Sequence, residues 1–283
     1  MAFEPRLVLL LVGDPGDPVT RALLEGRARL GWPLLPVSAR QLLDETTFAA
    51  DAWTVAGRRV EPGRTAVVNR LPLGDRLDAA GDAVGRQALW TRLRDELGRF
   101  AYASSLPTAT SLLGCFGNLL DQWQDLPQLV PGLRVPEHSA PSVPRVLAGT
   151  GVFAVDRWTP YSLGAAVGDA VAAGLPAASR LDYVRPDGGL VHLAQIGDAM
   201  FLPNAPPTLT AAQHEAMAAV ARAIAAVSPL RILEHAFFVG RGAPVLYSTF
   251  PVPVLSGGHP VYPQLVEQGL RHDIGTRGGR GPA

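Results

Sequence analysis

The sequence contains no lysine, so all 25 of its basic residues are arginine. A Walker-type phosphate loop needs a lysine on the β- and γ-phosphates, and pyridoxal or Schiff-base catalysis needs a lysine amine. Both classes of chemistry are therefore excluded. GC-rich coding is the simplest explanation for a chain rich in Ala, Gly, Pro and Arg, but the absence constrains mechanism whatever its origin.

Other features are scarce as well. Cys115 is the single cysteine, which excludes an internal disulfide, a CxxC redox pair and a zinc site built on several thiolates. The net charge is zero, because 25 acidic residues balance the 25 basic ones. A protein that binds nucleic acid or an anionic membrane would be expected to carry a net positive charge, so the composition argues against both partners. The apolar run at 7–12 is too short for a signal-peptide core or a membrane span. We therefore expect a cytoplasmic protein with no nucleic-acid or membrane partner.

Hydrophobic residues are plentiful, at 47% of 283 residues. This supply is enough for a sizeable core in one large or two compact domains. The 30 Gly and 26 Pro imply many turns and short elements. A neutral globular protein of this kind is suited to small ligands or ligands of mixed polarity.

The amino-terminal residues carry alternating strand and helix signals. Continuous branched-apolar runs predict buried parallel strands, and Ser38 is a candidate helix N-cap. The predicted elements are strands at 6–12, 34–37 and 65–69, helices at 19–30 and 39–43, and a small hairpin of 53–55 with 59–61 around Gly57. This order is typical of a βαβ unit.

The middle of the chain joins this unit to a segment with a different pattern of predicted elements. An amphipathic helix is predicted at 86–102, a loop at 106–117, and a helix at 118–126 that Pro127 should end. Four prolines lie between positions 131 and 144. This segment is the predicted domain boundary.

Antiparallel strand pairs are predicted beyond the boundary. Asp187-Gly188-Gly189 and Gly240-Arg241-Gly242 are typical hairpin turns, and Thr210 is a typical N-cap. The predicted elements are strands at 145–147 and 152–155, a helix at 163–173, a hairpin of 179–184 with 190–196, a helix at 211–227, a hairpin of 232–239 with 245–248, a short helix at 263–270 and a disordered tail at 276–283.

Some polar residues are candidates for a site on local grounds. Asp14 follows the first strand, where open α/β sheets place ligand groups. Asp-Pro-Gly is also a strong turn former, and the turn is the preferred interpretation. His259 lies in a Gly-rich loop that allows close approach of a ligand, with a solvated turn histidine as the alternative. Glu234 and His235 are adjacent on a predicted strand, so they point to opposite faces and cannot pair with each other.

The order of elements, together with local segments, resembles the ATP-grasp superfamily, in particular RimK-like and ribosomal-peptide-modifying ligases. The resemblance extends over nearly the whole chain. The segments that carry it are Val67-Val68-Asn69-Arg70 at the end of the pre-grasp domain, Gly117-Asn118-Leu119-Leu120 with Leu133-Arg134-Val135-Pro136 at the start of the grasp domain, and 231–238 with 243–253 as the last strand pair.

The chain departs from the family at the nucleotide and metal positions. Two lysines of the family hold the phosphates; Leu119 stands at the first position, and Arg157 is the nearest candidate for the second. In the last strand, Tyr247 stands where the family has a magnesium-binding Glu, and Thr249 where it has an Asn. Neither supplies an anionic oxygen at neutral pH. Glu234 remains as one acidic metal ligand.

The resemblance implies an α/β fold with a Rossmann-like pre-grasp domain at 1–105, a linker and helix at 106–135, and an α+β ATP-grasp-like domain at 136–275. It places Arg157 and Asn118 at the cofactor. It implies a metal at Glu234. The candidate substrate residues are Asn69 and Arg70, from the segment that resembles the family, together with Asp14 and His259 from the local patterns above.

Two functions are consistent with this pattern. In the first, the protein is a degenerate, ligase-like pseudoenzyme of a bacterial biosynthetic or peptide-modification pathway. It would bind ATP and magnesium weakly or not at all, and its ligand would be a small molecule, a peptide or a partner enzyme. In the second, it is an atypical ATP-dependent carboxylate-amine ligase that uses Arg157 and Glu234. The missing groups are those that neutralise charge during phosphoryl transfer, which favours the first. The oligomeric state stays open.

Overall fold

The computed structural model describes residues 8–12, 18–25, 34–38, 41, 45–49, 53–60, 65–69, 118–147, 151–157, 162–228, 232–250 and 264. The amino-terminal elements are β1 (Val8–Val12), α1 (Pro18–Glu25), β2 (Leu34–Val37), β3 (Thr46–Phe48), β4 (Trp53–Val55), β5 (Arg58–Val60) and β6 (Thr65–Asn69). The predicted helices at 86–102 and 263–270, the loop at 106–117 and the tail at 276–283 lie outside the described residues, except for Gln264.

The first sheet is parallel, with the strand order β2-β1-β6. Val12 at the end of β1 is level with Val37 of β2 and Asn69 of β6, so the carboxyl ends of the strands share one edge. Ser38 follows β2 as predicted: its hydroxyl accepts the N–H of Gln41 at 3.1 Å, and the Gln41 side chain accepts the Ser38 N–H at 3.2 Å. The strand predictions for this part are confirmed.

A second, antiparallel sheet has the order β3-β4-β5. Ala56 and Gly57 have φ values of 46° and 73°, the pair of positive angles that a two-residue hairpin turn between right-twisted strands requires. The predicted hairpin is therefore confirmed. Strand β3 was not predicted; its three residues pair with Trp53, Thr54 and Val55.

The carboxyl-terminal elements form two further antiparallel sheets. In chain order they are α2 (Leu119–Leu129), β7 (His138–Ser139), β8 (Val152–Asp156), β9 (Ala165–Ala166), α3 (Val167–Ala172), β10 (Arg180–Val184), β11 (Gly189–Ile196), β12 (Ala199–Phe201), α4 (Ala211–Val227), β13 (Ile232–Val239) and β14 (Val245–Phe250). The strand order is β7-β10-β8-β9 in one sheet, which we call the β8 sheet, and β12-β11-β13-β14 in the other, which we call the β13 sheet.

Two hydrophobic cores hold these sheets. Helix α4 covers one face of the β13 sheet; its buried residues Met217, Ala221 and Ile224 pack with Leu233 and Phe237 of β13. The opposite face of the β13 sheet packs on the β8 sheet and α2, in a second core described below. Among the described residues, no helix has both the length and the hydropathy needed to cross a membrane.

The hairpin predicted between 179–184 and 190–196 is wrong. Both strands exist, but β10 pairs with β7 and β8, whereas β11 pairs with β12 and β13. The turn at Gly188 carries the chain from one sheet to the other. Its φ is +102°, and a Cβ on Gly188 would lie 2.1 Å from the carbonyl oxygen of Val239. A turn signal marks a change of direction but does not name the partner of the next strand.

Three smaller predictions also differ from the structure. Residues 145–147 form no strand, and the helix expected at 163–173 is shortened to α3, because β9 first pairs with β8. Helix α2 does not end at Pro127: it continues to Leu129, and the Val130 N–H donates to the Leu126 carbonyl at 2.8 Å. Proline in the last turn removes a single helical hydrogen bond, which the packing of α2 outweighs.

Candidate functional site

The two predicted cofactor residues meet at the start of α2. Asn118 is the N-cap, and its side-chain oxygen accepts the Asp121 N–H at 3.0 Å. The backbone carbonyl of Arg157, just after β8, accepts the N–H of Leu119 at 2.9 Å. The cap thus fixes α2 to the end of a β8-sheet strand, and it brings Asn118 and Arg157 together.

An internal carboxylate lies at the same place. The Asn118 side-chain amide donates to the Asp121 carboxylate at 2.6 Å. Burial, with repulsion from Asp125, raises the pKa of Asp121, while the hydrogen bond from Asn118 and the charge of Arg157 lower it in part. Asp121 therefore supplies an anion that accepts a hydrogen bond from Asn118 and is stabilised by the charge of Arg157. Sequence reasoning missed it, although an Asx residue three positions before an acidic residue is a recognisable capping pattern.

Aromatic side chains fill the space between the two carboxyl-terminal sheets. We call this group the aromatic cluster: Trp123 of α2, Tyr183 of β10, and Phe238 and Tyr247 of the β13 sheet. The ring centroids of Tyr183 and Tyr247 are 5.7 Å apart, and those of Trp123 lie 5.4 Å from Tyr183 and 5.7 Å from Tyr247. All four residues belong to one buried core. Direct ring contact of this kind joins the facing sheets.

The two tyrosines of the cluster are neutral and hydrogen-bonded. Tyr183 donates its hydroxyl proton to the Leu163 carbonyl at 2.8 Å, and Tyr247 donates to the Ser162 carbonyl. Burial raises the pKa of Tyr183 to about 12. It also raises the pKa of Tyr247, which is only 1% exposed. Neither phenol offers a charged oxygen to a ligand.

A bulge in β14 sets the directions of Tyr247 and Thr249. The pairs Phe237–Leu246 and Ala236–Ser248 leave Tyr247 as an extra residue. Side chains along a regular strand alternate between the two faces of a sheet, and the bulge shifts this alternation by one residue. Tyr247 therefore packs in the aromatic cluster, whereas Thr249 lies on the α4 side of the sheet. There the Thr249 hydroxyl is 3.1 Å from Nδ1 of His235. The residues at the family's Glu and Asn positions therefore do not point to one site.

Glu234 faces the side opposite to His235, as predicted, and pairs with another histidine. Its Oε1 lies 2.7 Å from Nδ1 of His192 on β11. The two residues are diagonal neighbours, because His192 is level with Ala236 and Glu234 with Ala194. Glu234 is 0% exposed. Sequence reasoning missed His192, since nothing in the order of residues shows which strands are adjacent.

The other face carries a buried polar chain. His235 Nε2 lies 3.0 Å from the side-chain oxygen of Gln195, so Nε2 carries the proton, and Nδ1 accepts from the Thr249 hydroxyl. Burial lowers the pKa of His235 to about 3. Gln122 of α2 completes the chain by accepting the Thr249 N–H at 2.7 Å and donating to its carbonyl at 3.1 Å. These contacts fix α2 along the edge strand β14.

The remaining predicted site residues are spread over other parts of the chain. Asn69 ends β6 at the carboxyl edge of the parallel sheet, level with Val12. Asp14, Arg70 and His259 lie outside the described residues. Within the described ranges, no group of three or more His, Cys, Asp or Glu side chains is placed to hold a metal ion.

No protein-family model matches the chain, and no curated protein sequence matches it. Solved structures do. The ATP-grasp ligase PsnB, complexed with a phosphomimetic variant of a minimal precursor, Mg and ADP, is similar over 94% of this chain and 97% of its own, with a TM-score of 0.63 and 18% identity. The chain has the ATP-grasp fold.

Other ATP-grasp structures show similar agreement. The macrocyclase MdnC of Microcystis aeruginosa MRC, bound with the precursor peptide MdnA, is similar over 94% of this chain and 99% of its own, with a TM-score of 0.64 and 13% identity. The D-alanine–D-alanine ligase of Bacillus anthracis, complexed with ATP, is similar over 98% and 99%, with a TM-score of 0.56 and 10% identity. The recognition made from the sequence is thus confirmed at the level of the fold.

Proposed function

We propose that this protein is a degenerate ATP-grasp-fold protein that binds a peptide, a small molecule or a partner enzyme in a biosynthetic or peptide-modification pathway, without ATP-dependent catalysis. One observation carries the proposal. The residues at the family's first phosphate position and at its metal positions, Leu119, Tyr247 and Thr249, are 0%, 1% and 0% exposed, and they are packed or hydrogen-bonded within the fold.

The donor set does not fit magnesium. Magnesium favours hard, mostly anionic oxygens in octahedral geometry. Glu234 is held by His192, the phenol of Tyr247 stays protonated because burial raises its pKa, and Thr249 lies on the other face of the sheet. Moving Glu234 to a metal would break a buried pair, which is costly.

The phosphate side of the site is also altered. Arg157 and Asn118 lie at the start of α2, but the carboxylate of Asp121 already interacts with both. An incoming phosphate would have to compete with the Asp121 carboxylate for the Asn118 amide, and it would be repelled by that carboxylate. This arrangement supports a role for Asn118 and Arg157 in holding α2 to the β8 sheet.

The finer assignments belong to the same proposal. We infer a Rossmann-like pre-grasp domain at 1–105, a linker and helix at 106–135 and the grasp-like domain at 136–275, in a cytoplasmic bacterial protein. The parallel order of β2, β1 and β6 supports the first of these. Asn69, at the carboxyl edge of that sheet, and the residues Asp14, Arg70 and His259, which lie outside the described ranges, are the proposed substrate-binding residues. Solved structures of PsnB and MdnC hold the precursor peptides PsnA2 and MdnA, which supports a peptide ligand.

Calorimetry with ATP in the presence and absence of magnesium tests the proposal. We expect no binding in the micromolar range, while a D-alanine–D-alanine ligase measured in parallel serves as the positive control. Magnesium-dependent micromolar binding that is lost in both Arg157→Ala and Glu234→Gln would overturn it in favour of the atypical carboxylate-amine ligase. Asp169→Asn, on the exposed surface of α3, is the matched control for a change of charge away from these residues.

A further inference from the structure

The guanidinium of Arg185 lies where the two carboxyl-terminal sheets meet. Its central carbon is 5.3 Å from the ring centroid of Phe153 on β8 and 5.8 Å from that of Phe238 on β13. Both distances fall within the range of a cation–π interaction, about 6 Å. A single cation therefore contacts one aromatic ring of each sheet.

The backbone on both sides of Arg185 is fixed by the fold. The Arg185 N–H donates to the Gly151 carbonyl at 3.0 Å, and the ring of Pro186 restricts φ of the next residue. The turn then approaches β13 so closely that a Cβ on Gly188 would lie 2.1 Å from the Val239 carbonyl oxygen. The chain therefore positions Arg185 before any ligand arrives, which reduces the entropic cost of binding.

No acidic side chain of the described ranges pairs with Arg185. The residue forms no ion pair there, and its guanidinium N–H groups have no hydrogen-bond partner among those residues. Asp187, two positions later, lies against the neighbouring turn instead, since its Cβ would be 3.3 Å from a Cβ on Gly240. Arg185 is also exposed. A fixed, exposed cation with several N–H donors and no internal acceptor is suited to binding an external anion.

Apolar side chains continue on both sides of the Phe238 ring. Leu190, Phe238 and Val245 lie side by side across three strands. Leu190 and Val245, like Phe153, are only partly buried where they pack against the inter-sheet core. An interaction between charges is stronger where apolar surface excludes water. A ligand held at Arg185 can therefore place an apolar group next to its anion.

We propose that Arg185 binds a carboxylate of the peptide ligand, and that an apolar part of the peptide beside that carboxylate packs on Phe153, Leu190 and Val245. The inference rests on the proposed function, since it names the group by which the same ligand is recognised. A guanidinium presents paired donors that match the two oxygens of a carboxylate. Its single positive charge also matches a carboxylate better than the nearly double charge of a phosphate monoester. An acidic side chain and a carboxyl terminus share this chemistry.

Peptide-like probes that differ in one group test the recognition. The Nε–Hε resonance of Arg185, assigned by its loss in Arg185→Gln, is followed by NMR during titration. N-acetyl-glutamate methylamide and N-acetyl-leucine represent the two sources of the carboxylate, and N-acetyl-glutamine methylamide and N-acetyl-leucinamide are their neutral counterparts. We expect saturable millimolar binding of a carboxylate probe with a shift at Nε, and roughly tenfold weaker binding of its neutral counterpart. Added salt should weaken the binding of the carboxylate alone, because screening acts on charges.

Variants of the site, measured by calorimetry, separate charge from geometry. Arg185→Gln removes the charge and should weaken carboxylate binding roughly tenfold. Arg185→Lys keeps the charge but loses the paired donors, so the loss should be smaller, about threefold. Phe153→Leu removes one ring contact and should weaken binding about twofold to fivefold. Arg222→Gln, which removes an exposed arginine of α4 that pairs with Glu215, is the matched control and should leave binding unchanged.

The proposal fails if a carboxylate probe and its neutral counterpart bind equally, if Arg185→Gln leaves carboxylate affinity unchanged, or if saturation leaves the Arg185 resonance unshifted. It also fails if neither carboxylate binds in the millimolar range, or if inorganic phosphate, titrated in parallel, binds more tightly than both. If a variant does not fold, the comparison of the probes on the unmodified protein still decides. Magnesium-dependent ATP binding would overturn the proposed function without changing these results, so the two failures are distinguishable.

Discussion

Restoring the family's metal ligand at position 247 should destabilise this protein rather than repair it. In a working ATP-grasp site, Tyr247→Glu would face a ligand cleft and be tolerated. In this structure Tyr247 is 1% exposed, it contacts the rings of Trp123, Tyr183 and Phe238, and its hydroxyl donates to the Ser162 carbonyl. The substitution exchanges a buried ring for a carboxyl group among aromatic rings.

The expected loss is large compared with the stability of a domain. Removing a buried aromatic side chain from a core costs about 3–5 kcal/mol. Burying a carboxyl group without a partner adds a further penalty of about 1–3 kcal/mol, even when its pKa rises until it is neutral. The sum, roughly 4–8 kcal/mol, is comparable with the whole free energy of unfolding of a typical domain, about 5–15 kcal/mol. Tyr247→Phe, the matched control, loses one hydrogen bond, about 1 kcal/mol.

Urea unfolding of the three proteins, followed by calorimetry with Mg-ATP, measures both consequences. We expect Tyr247→Glu to unfold at much lower urea than Tyr247→Phe and to bind no nucleotide. If Tyr247→Glu were within about 1 kcal/mol of the unmodified protein and gained magnesium-dependent ATP binding, position 247 would face a cleft, and our reasoning about the inter-sheet core would be refuted.

Three further predictions concern the residues that build the site. Asn118→Ala should lower the free energy of unfolding by about 1 kcal/mol, and Asn118→Ser should recover most of it, because the residue caps a helix; equal thermal midpoints for all three proteins would contradict this. Because burial lowers the pKa of His235 from 6.5 to about 3, only the unfolded state binds its proton between these values. Stability should therefore fall as pH falls through this range, by up to about 1.4 kcal/mol per pH unit, and His235→Gln should flatten that slope in urea melts; an equal slope would disprove the assignment. Gly188→Ala should destabilise the protein strongly, because the new Cβ would lie 2.1 Å from the Val239 carbonyl oxygen. Gly174→Ala is the control: φ is +81° and nothing lies within 4 Å of its Cβ, so it measures only the smaller cost of the backbone angle. Similar melting temperatures for the two variants would contradict the close approach of Gly188 to Val239 where the chain passes from one sheet to the other.

Local signals in the sequence were sufficient for much of the fold. The helix α4 begins after Thr210, whose hydroxyl accepts the Gln213 N–H at 3.2 Å, and ends before Ser228 as predicted. The hairpin of β13 and β14 across Gly240 was predicted as well. In these cases the deciding contacts join residues a few positions apart, so the order of residues contains them.

Pairings over long separations were not predictable in the same way. The sequence suggested that β10 and β11 pair, because Gly188 lies between them, yet they belong to different sheets. His192 and Glu234 are 42 residues apart, and their contact depends on β11 and β13 being neighbours in a particular register. Nothing local distinguishes that register from its alternatives.

The sequence by itself determined that the lysines and the second acidic metal ligand of the ATP-grasp pattern are absent, because residue types are read directly from the chain. It also determined that Glu234 and His235 face opposite sides of the sheet, because adjacent side chains of a strand alternate between its faces. The tertiary structure alone decided that Tyr247 and Thr249 face opposite sides, that His192 holds Glu234, and that the charge of Arg157 acts on the Asp121 carboxylate. A single bulge in β14 reverses the alternation, and strand neighbours are selected by the packing of whole sheets. These features therefore depend on free energies summed over many distant contacts, which no short segment contains.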